Sequence, residues 1–236
     1  MRYDQYLTRF LYPAYRCTFD PLRRSRFLAR RLFGVRCPVD SPYFFWDQVT
    51  LGLRAVLLRE SLDGLAVCDM GCGPVAALSA VAARRGSRDI TAVDIVPEFV
   101  DSAVAVLGDS GAHRAEVKLS DFDEKLGDAT FDVVLFNSAY IPSSWGESQG
   151  INKDYPLETM STAVTWSGGD DGTESICGFL ERMPRHLSAS GRIFLGFNRF
   201  YVGSGRVRDI AEDAGLIVAD VHTWRLTSAV VMEIRA

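Results

Sequence analysis

A short apolar segment that ends in an acid and two spaced glycines constrains this chain more than any other feature. Residues 65–74 read LAVCDMGCGP, so Asp69 closes the apolar run and Gly71 and Gly73 follow it. This pattern predicts a strand, a tight turn and then a helix over 75–85, because glycine adopts turn conformations that other residues avoid. Glycines at such a turn also let a ligand approach the backbone closely. The segment therefore predicts the first βαβ unit of an α/β fold, with a ligand beside its turn.

A second acid lies where the next predicted strand ends. The strand over 90–94 ends in Asp94, which follows Gly73 by 21 residues. A carboxylate at this distance from the glycines is suited to bind the two hydroxyls of a ribose. We assign Ile95, the next residue, to the same nucleoside site. A plain βαβ turn without a ligand is the alternative.

The residues around the turn favour one class of nucleoside over another. Ala76 stands where dinucleotide enzymes carry the third glycine of their motif, and it is a tolerated substitute. Asp69 is the better discriminator, because a carboxylate repels a pyrophosphate and attracts an ammonium group. The residues VCDMGCGP, followed by TAVDI, resemble motif I and the following acidic strand of class I S-adenosylmethionine (SAM) methyltransferases. The resemblance implies that Asp69, Gly71, Gly73 and Asp94 bind SAM.

Alternation of strands and helices defines the rest of the fold. A parallel sheet covered on both faces is typical of such alternation. The predicted strands are 65–69, 90–94, 115–119, 131–137, 192–197, 216–222 and 228–234. Only a short turn separates the last two, so the last strand is expected to be antiparallel. We therefore predict a mixed α/β, Rossmann-like sheet of the class I methyltransferase type, mostly parallel, with an N-terminal helical cap.

The chain of 236 residues is long enough for one domain with an extension. We predict a helical cap over 1–60 and a SAM-binding domain over 61–236. The cap is expected to contain three helices, over 2–15, 20–34 and 41–60. An acid or serine followed by proline begins each of the last two, and a glycine ends the second.

The cap is unusually rich in aromatic residues. They include Tyr3, Tyr6, Phe10, Tyr12, Tyr15, Phe19, Tyr43, Phe44, Phe45 and Trp46. Most are expected to serve packing. Rings that face a sulfonium would attract it by cation–π interaction, worth about 2 kcal/mol away from water. We therefore expect the cap to act as a lid over the cofactor.

Ligands of open α/β sheets bind beyond the carboxyl ends of the strands. This rule gathers Asp69, Asp94, Asp121 and Asn137 along one edge of the sheet, where we expect all four to contact the cofactor. Asp121 would accept a hydrogen bond from the adenine amino group, and Phe122 would stack on the ring. The alternative role for Asp121 is to cap a helix.

A second resemblance lies after the fourth strand. Residues 131–142 read FDVVLFNSAYIP, and 166–172 read WSGGDDG. Both are similar to segments of the HemK-like protein-glutamine methyltransferases and the amino-methylating DNA enzymes, which carry N-P-P-Y. The resemblance implies that Asn137 and Tyr140 hold a planar amide or amine. Ser138 and Ala139 replace the two prolines, and we expect the backbone there to be less rigid.

The long segment between these motifs, 138–171, has no predicted regular structure. A loop of this length in a compact domain is usually functional. Since it follows the strand that ends in Asn137, we expect it to form one wall of the site.

Charge and cysteine content bear on the partners and the compartment. Residues 1–36 hold nine arginines and two acids, a net charge of +7 that leaves −11 for the remainder. The basic helices would suit a carrier protein, or they form a solvated face, and nucleic acid is judged unlikely. Five cysteines without paired spacing indicate a reduced, cytoplasmic protein, and Cys68 and Cys72 lack the further ligands that a metal site needs. No apolar run approaches the roughly 20 residues of a membrane span.

The activity is predicted as methyl transfer from SAM to a small molecule of a biosynthetic pathway. The alternative is cyclisation of SAM itself, as in azetidine-2-carboxylate synthases, with methylthioadenosine as the leaving product. Asn137 or Tyr140 would then orient the amino group of SAM. A binding module that has lost its chemistry is the third hypothesis, and its basic arm would contact RNA or a partner.

Overall fold

The structure is a computed structural model, and it describes residues 16–39, 41–151 and 157–236. Its centre is a seven-stranded sheet with the order β3-β2-β1-β4-β5-β7-β6. The strands are β1 (Ala66–Met70), β2 (Asp89–Asp94), β3 (Ala115–Leu119), β4 (Phe131–Asn137), β5 (Leu187–Asn198), β6 (Ile217–Thr223) and β7 (Ala229–Arg235). The β1, β2, β3, β4 and β5 pairings are parallel, whereas β7 is antiparallel to both β5 and β6. The predicted fold class is confirmed.

Seven α-helices begin and end within the described residues and pack around the sheet. They are α1 (Arg26–Phe33), α2 (Gln48–Leu57), α3 (Ala77–Arg84), α4 (Pro97–Asp109), α5 (Ser143–Ser148), α6 (Glu174–Arg182) and α7 (Ser204–Asp213). Short 3₁₀ helices cover Thr162–Thr165 and Met183–His186. The segment predicted to be irregular, 138–171, thus contains one short α-helix and one 3₁₀ turn among its described residues. Within the described chain, no helix is both long and apolar enough to cross a membrane.

The N-terminal helices differ from their predicted bounds. Residues 16–23 are already helical, and a new helix begins after Ser25, whose side chain accepts a hydrogen bond from the N–H of Leu28. Gly34 ends that helix with φ of 76°, as predicted. The helix predicted over 41–60 begins only after Asp47, because the Asp47 side chain and Thr50 form a capping box there. The helix predicted over 2–15 lies outside the described residues.

Helix α2 packs directly on the sheet and forms part of the hydrophobic core. A Cβ at Gly196 of β5 would lie 2.5 Å from Cγ1 of Val49 and 2.9 Å from Cδ1 of Leu53, so the glycine allows the helix to approach the strand. Val49, Leu53 and Leu57 are completely buried. The cap boundary at residue 60 stays a prediction, and the described cap helix shares one hydrophobic cluster with the sheet.

Strand β5 extends further toward the N-terminus than predicted. The sequence SASG over 188–191 is typical of a loop, yet β5 begins at Leu187. A register irregularity between Phe131 and Val133 of β4 accompanies this region, and a Cβ at Gly191 would lie 2.8 Å from the carbonyl oxygen of Phe131. Because of this irregularity in the pairing, the polar, turn-forming residues 188–191 are part of strand β5.

Candidate active site

One cavity of ≈ 830 Å³ lies at the carboxyl ends of β1, β2 and β4. Every predicted site residue lines it, namely Asp69, Gly71, Gly73, Asp94, Ile95, Asp121, Phe122, Asn137 and Tyr140. The register explains the convergence, since Met70 of β1 lies between Val93 of β2 and Phe136 of β4. The three strands therefore end side by side, and the residues after them share one crevice.

Asp94 is held by the backbone around it. Its Oδ2 accepts the N–H of Gly73 at 2.8 Å, and its Oδ1 accepts the N–H of Val96 at 3.0 Å. Burial raises the pKa of Asp94 to about 6, against the opposing effect of these backbone hydrogen bonds. Each carboxylate oxygen has two lone pairs, so Asp94 keeps acceptor capacity for hydroxyl groups.

Asp69 is fixed by the first turn of helix α3. Its Oδ2 accepts hydrogen bonds from both the N–H of Ser79, at 2.9 Å, and the Ser79 hydroxyl, at 2.6 Å. Burial raises the pKa of Asp69 to about 6, the Ser79 bonds lower it, and the nearby Asp94 raises it further. The structure thus gives Asp69 a role in joining strand β1 to helix α3, while its predicted contact with an ammonium group stays a prediction.

The glycine turn has the backbone that the sequence predicts. Gly71 and Gly73 have φ of 63° and 68°, in the left-handed region that disfavours side chains. A Cβ on Gly73 would meet no atom within 4 Å, so the turn leaves open space beside the backbone. This is the space that a ligand close to the turn would need.

Phe122 adopts a strained backbone beside the cavity. Its φ is 43°, which is rare for a residue with a bulky side chain. Its ring packs edge-on against Phe136 at 6.0 Å and lies 5.3 Å below the Arg182 guanidinium. These contacts hold the ring at the wall of the cavity, where stacking on adenine stays a prediction.

Asn137 and Tyr140 meet a residue that the sequence analysis did not select. The Asn137 Nδ2 donates to Oδ1 of Asp47 at 3.3 Å and to Oγ1 of Thr50 at 3.2 Å. The Tyr140 hydroxyl donates to Oδ2 of Asp47 at 3.1 Å. The Asn137 Oδ1 is buried and has no hydrogen-bond partner among the described residues. An unsatisfied buried acceptor is costly, so this atom is suited to receive an N–H or O–H of a ligand.

The segment between Asn137 and Tyr140 makes hydrogen bonds to neighbouring elements, and the lower rigidity expected without prolines stays a prediction. The N–H and the hydroxyl of Ser138 both donate to the carbonyl oxygen of Gly196, at 3.1 and 2.9 Å. The Ser175 hydroxyl donates to the carbonyl oxygen of Ala139 at 2.6 Å. These hydrogen bonds restrain the positions at which the two prolines are replaced.

The predicted glycine-rich loop packs directly on this segment. Ile141 pairs with Ser167 as an isolated bridge, with its N–H bonded to the Trp166 carbonyl at 3.0 Å. A Cβ on Gly172 would lie 2.5 Å from the carbonyl oxygen of Tyr140, so the loop can approach only with glycine there. The long segment therefore does form a wall of the cavity, as predicted.

Three aromatic residues of the cap line the cavity, namely Phe44, Phe45 and Trp46. The Arg23 guanidinium lies 3.9 Å from the centre of the Phe44 ring. Tyr43 packs edge-on against Phe99 at 5.0 Å, and Phe19 lies outside this cavity. The aromatic residues of 1–15 lie outside the described residues, and the lid role stays a prediction.

The two cysteines beside the turn are thiols, of which Cys68 is buried and Cys72 is partly buried. Burial raises the pKa of both Cys68 and Cys72 well above the usual value. Both are free, and no cluster of three or more metal-binding side chains occurs among the described residues.

The residues present fit SAM. The cavity has the size of a small-molecule site, for which roughly 300–1,000 Å³ is typical. Two buried acids, Asp69 and Asp94, suit a cationic nucleoside, the glycine turn leaves room beside the backbone, and Phe122 offers a ring. When bound, SAM supplies a methyl group on a sulfonium, which is the electrophile of the transfer.

Comparison with known proteins bears on the cofactor-binding part of the chain. Residues 67–149 match the family described as a methyltransferase domain. The match agrees with the methyltransferase resemblance of the glycine turn and confirms the predicted cofactor, SAM, whereas the domain bounds stay a prediction.

Curated relatives of the methyltransferase domain carry names that refer to protein substrates. The chain is 29% identical over 141 residues to a putative protein N5-glutamine methyltransferase of Methanocaldococcus jannaschii, covering 58% of this chain and 64% of the relative. It is 32% identical over 90 residues to a ribosomal protein L11 methyltransferase of Phocaeicola vulgatus, covering 38% of this chain and 32% of the relative. The chain thus spans less than two thirds of the length of either relative.

Solved structures share the fold of the methyltransferase domain. A putative RNA methyltransferase of Pyrococcus horikoshii superposes with a TM-score of 0.62 at 13% identity, over 89% of this chain and 94% of the other. The Thermus thermophilus 16S rRNA N2 G1207 methyltransferase, in complex with SAM and guanosine, gives 0.54 at 21% identity, over 86% of this chain and 45% of the other. Identities this low show a common fold and nothing further.

These comparisons correct the predicted partners. From the sequence, a small-molecule substrate was predicted and nucleic acid was not expected as a partner. The relatives are instead named for ribosomal protein L11 and protein glutamine, and a structural neighbour is named for RNA. The expectation was wrong because the patterns on which it was based, the cofactor turn and the aromatic cap, do not limit the size of the acceptor.

Proposed function

We propose that this protein is a SAM-dependent methyltransferase that modifies a primary amide or amine nitrogen of a polypeptide. The buried, unpartnered Oδ1 of Asn137 carries the proposal. A primary amide or amine has N–H groups to donate to this oxygen while its nitrogen faces the cofactor. The sequence relatives named for protein substrates support a polypeptide as the acceptor.

In this proposal some residues would bind the cofactor and others would orient the acceptor. Asp94 would accept the ribose hydroxyls, and Phe122 would hold the adenine. Asn137 would accept one N–H of the acceptor, which directs the nitrogen lone pair toward the cofactor. Orientation of this kind is a main source of rate in reactions between two bound molecules. Trp46 and the other cap rings would exclude water from the cationic centre.

A labelling experiment tests the proposal. The purified protein is incubated with SAM labelled in its methyl group, together with either total ribosomal protein or protein-free ribosomal RNA. We expect label in the protein fraction, and acid hydrolysis should release it as methylamine if an amide nitrogen was the target, or leave it on an amino acid if an amine was. Label in the RNA fraction alone would contradict a polypeptide acceptor.

Incubation with SAM alone tests the cyclisation alternative. Formation of methylthioadenosine and azetidine-2-carboxylic acid would support cyclisation and contradict methyl transfer. Stable SAM in the absence of an acceptor supports the proposal. A matched Asn137→Ala preparation serves as the control, because it should bind SAM and fail to transfer label.

A further inference from the structure

The carboxylate of Asp47 lies at the meeting point of the cap and the strand end. Its Oδ1 accepts the N–H of Thr50 at 2.7 Å, which caps helix α2, and also accepts the Thr50 hydroxyl at 2.7 Å. The same oxygen accepts the Nδ2 of Asn137, and the other oxygen accepts the Tyr140 hydroxyl. One side chain of the cap thus contacts both residues of the N-S-A-Y motif that the site uses.

These contacts determine which atom of the Asn137 amide, Oδ1 or Nδ2, faces Asp47. An ionised carboxylate is an acceptor only, so the Asn137 atom that faces Asp47 must be the Nδ2 donor. The Thr50 hydroxyl donates its only proton to Oδ1 of Asp47, and its oxygen accepts the N–H of Asp47 at 3.2 Å. Toward Asn137 this hydroxyl can therefore act only as an acceptor, so it also requires the Nδ2 donor there. The Asn137 Oδ1 is therefore turned away from the cap residues, and it has no partner among the described residues.

We propose that Asp47 is a positioning residue of the methyl-transfer site, which fixes the Asn137 amide so that its oxygen faces the acceptor nitrogen. The inference rests on the proposed function and adds a residue from outside the methyltransferase-domain match, since that match begins at residue 67. Without Asp47, the amide could rotate and present Nδ2 to the acceptor, and two donors would then face each other. The part of the chain before the sheet thereby becomes part of the site.

The proposal separates positioning from proton transfer. A general base needs a free lone pair directed at the proton it removes. Oδ1 of Asp47 accepts from Thr50 and Asn137, and Oδ2 accepts from the Tyr140 hydroxyl, so every contact seen for Asp47 is with a residue that it orients, and the proposal gives it no part in proton transfer. It follows that an uncharged acceptor at position 47 should serve nearly as well as the carboxylate.

Two substitutions of Asp47 test this distinction. Asp47→Ser keeps a helix-capping oxygen but is too short to reach Asn137 and Tyr140. Asp47→Asn keeps an oxygen that can accept from Thr50 and Asn137. We expect kcat to fall about 50-fold in Asp47→Ser and less than about fivefold in Asp47→Asn, with KM for SAM unchanged in both. Equal losses in the two variants would overturn positioning in favour of a charge or base role.

Asp132→Ser is the matched control for general damage. Asp132 also accepts a backbone N–H, from Ala66 at 2.9 Å, and a hydroxyl, from Ser188 at 2.7 Å, but it lies at the opposite end of β4. We expect it to lower stability and to leave kcat unchanged. A loss of kcat in this control as large as in Asp47→Ser would mean that the Asp47 effect is structural, which would contradict the proposal.

Two further measurements isolate the link to Asn137. In an Asn137→Ala background, Asp47→Ser should have no additional effect on kcat, because the residue that it positions is gone. In the free protein, NMR should show slow hydrogen exchange of the Asn137 side-chain amide in wild type and Asp47→Asn, and fast exchange in Asp47→Ser. Fully additive losses, or exchange that is the same in all three proteins, would contradict the proposal.

Failure of the proposed function would look different. The wild-type protein would then transfer no methyl group to protein, whereas the amide exchange of Asn137 could still respond to Asp47. An active wild type with an indifferent Asp47→Ser variant would overturn the positioning role alone.

Discussion

Gly73 donates its backbone N–H to Oδ2 of Asp94 at 2.8 Å, so the glycine turn after β1 holds the acid at the end of β2. The bond joins the two features that the sequence shows 21 residues apart. It orients the carboxylate toward the cavity before any ligand arrives. A group fixed in this way loses little entropy when it binds.

Substitution of Asp94 by alanine should therefore weaken SAM binding. Loss of hydrogen bonds to a charged group is worth roughly 1–3 kcal/mol, which is about five- to 150-fold in Kd. Calorimetric titration with SAM measures the change. Asp89→Ala is the control, because Asp89 begins the same strand and is exposed. Unchanged affinity in Asp94→Ala would contradict the ribose assignment.

SAM affinity should depend on pH through the two buried acids. Burial raises the pKa of both Asp69 and Asp94 to about 6, and a cationic ligand prefers their ionised forms. Binding should thus strengthen as the pH rises through about 6, by about tenfold for each carboxyl between about pH 5 and about pH 7. Calorimetric titrations with SAM at several pH values in this range measure how the affinity changes with pH. Asp69→Asn should make that change smaller. A flat profile would show that neither charge contacts the ligand.

The same pKa shifts have the opposite effect on the stability of the free protein. Because the folded pKa of Asp69 and of Asp94 lies above the unfolded value, the folded state binds more protons between about pH 4 and about pH 6. The contribution of these two groups to the free energy of unfolding therefore falls as the pH rises through that window. SAM should raise the melting temperature more at about pH 7 than at about pH 5.

Asn137→Ala should reduce turnover more than it reduces SAM affinity. The residue offers its unpartnered oxygen to the acceptor in the proposed function, whereas Asp94 and the glycine turn serve the cofactor. We expect kcat to fall about 100-fold, with Kd for SAM within about threefold of wild type. Single-turnover assays and calorimetry measure the two quantities. A large loss of SAM affinity with normal turnover would remove Asn137 from the acceptor site.

The acids and the asparagine at the strand ends could be predicted because parallel strands bring their carboxyl ends to one edge. Asp69, Asp94 and Asn137 each follow an apolar run, so local pattern and fold rule agree. Asp47 could not be found in this way. Its capping box with Thr50 is a local contact that the structure shows, and its contact with Asn137 spans 90 residues and depends on how α2 packs.

The start of helix α2 was predicted wrongly from a local sequence pattern. Ser41-Pro42 is a strong helix start by itself, yet the helix begins at Gln48. Residues 44–46 are instead non-helical, and their aromatic side chains line the cavity. Burial of these rings against the sheet outweighs local helix preference, which is worth less than about 1 kcal/mol per residue.

Gly172→Ala should disturb the site through contact as well as through backbone strain. Gly172 has φ of 84°, and a Cβ there would lie 2.5 Å from the carbonyl oxygen of Tyr140 and 2.9 Å from Cγ2 of Val202. Gly64→Ala is the matched control, because Gly64 has φ of 74° and a Cβ there would meet no atom within 4 Å. We expect Gly64→Ala to lower the free energy of unfolding by about 1–2 kcal/mol, the cost of the left-handed backbone alone. Gly172→Ala should cost at least about 3 kcal/mol and should also reduce methyl transfer, since it displaces Tyr140. Urea denaturation measures the stability of both variants, and kinetic assays measure their methyl transfer. Equal losses of stability in the two variants, with normal turnover in Gly172→Ala, would show that the loop around Gly172 accommodates the methyl group without displacing Tyr140.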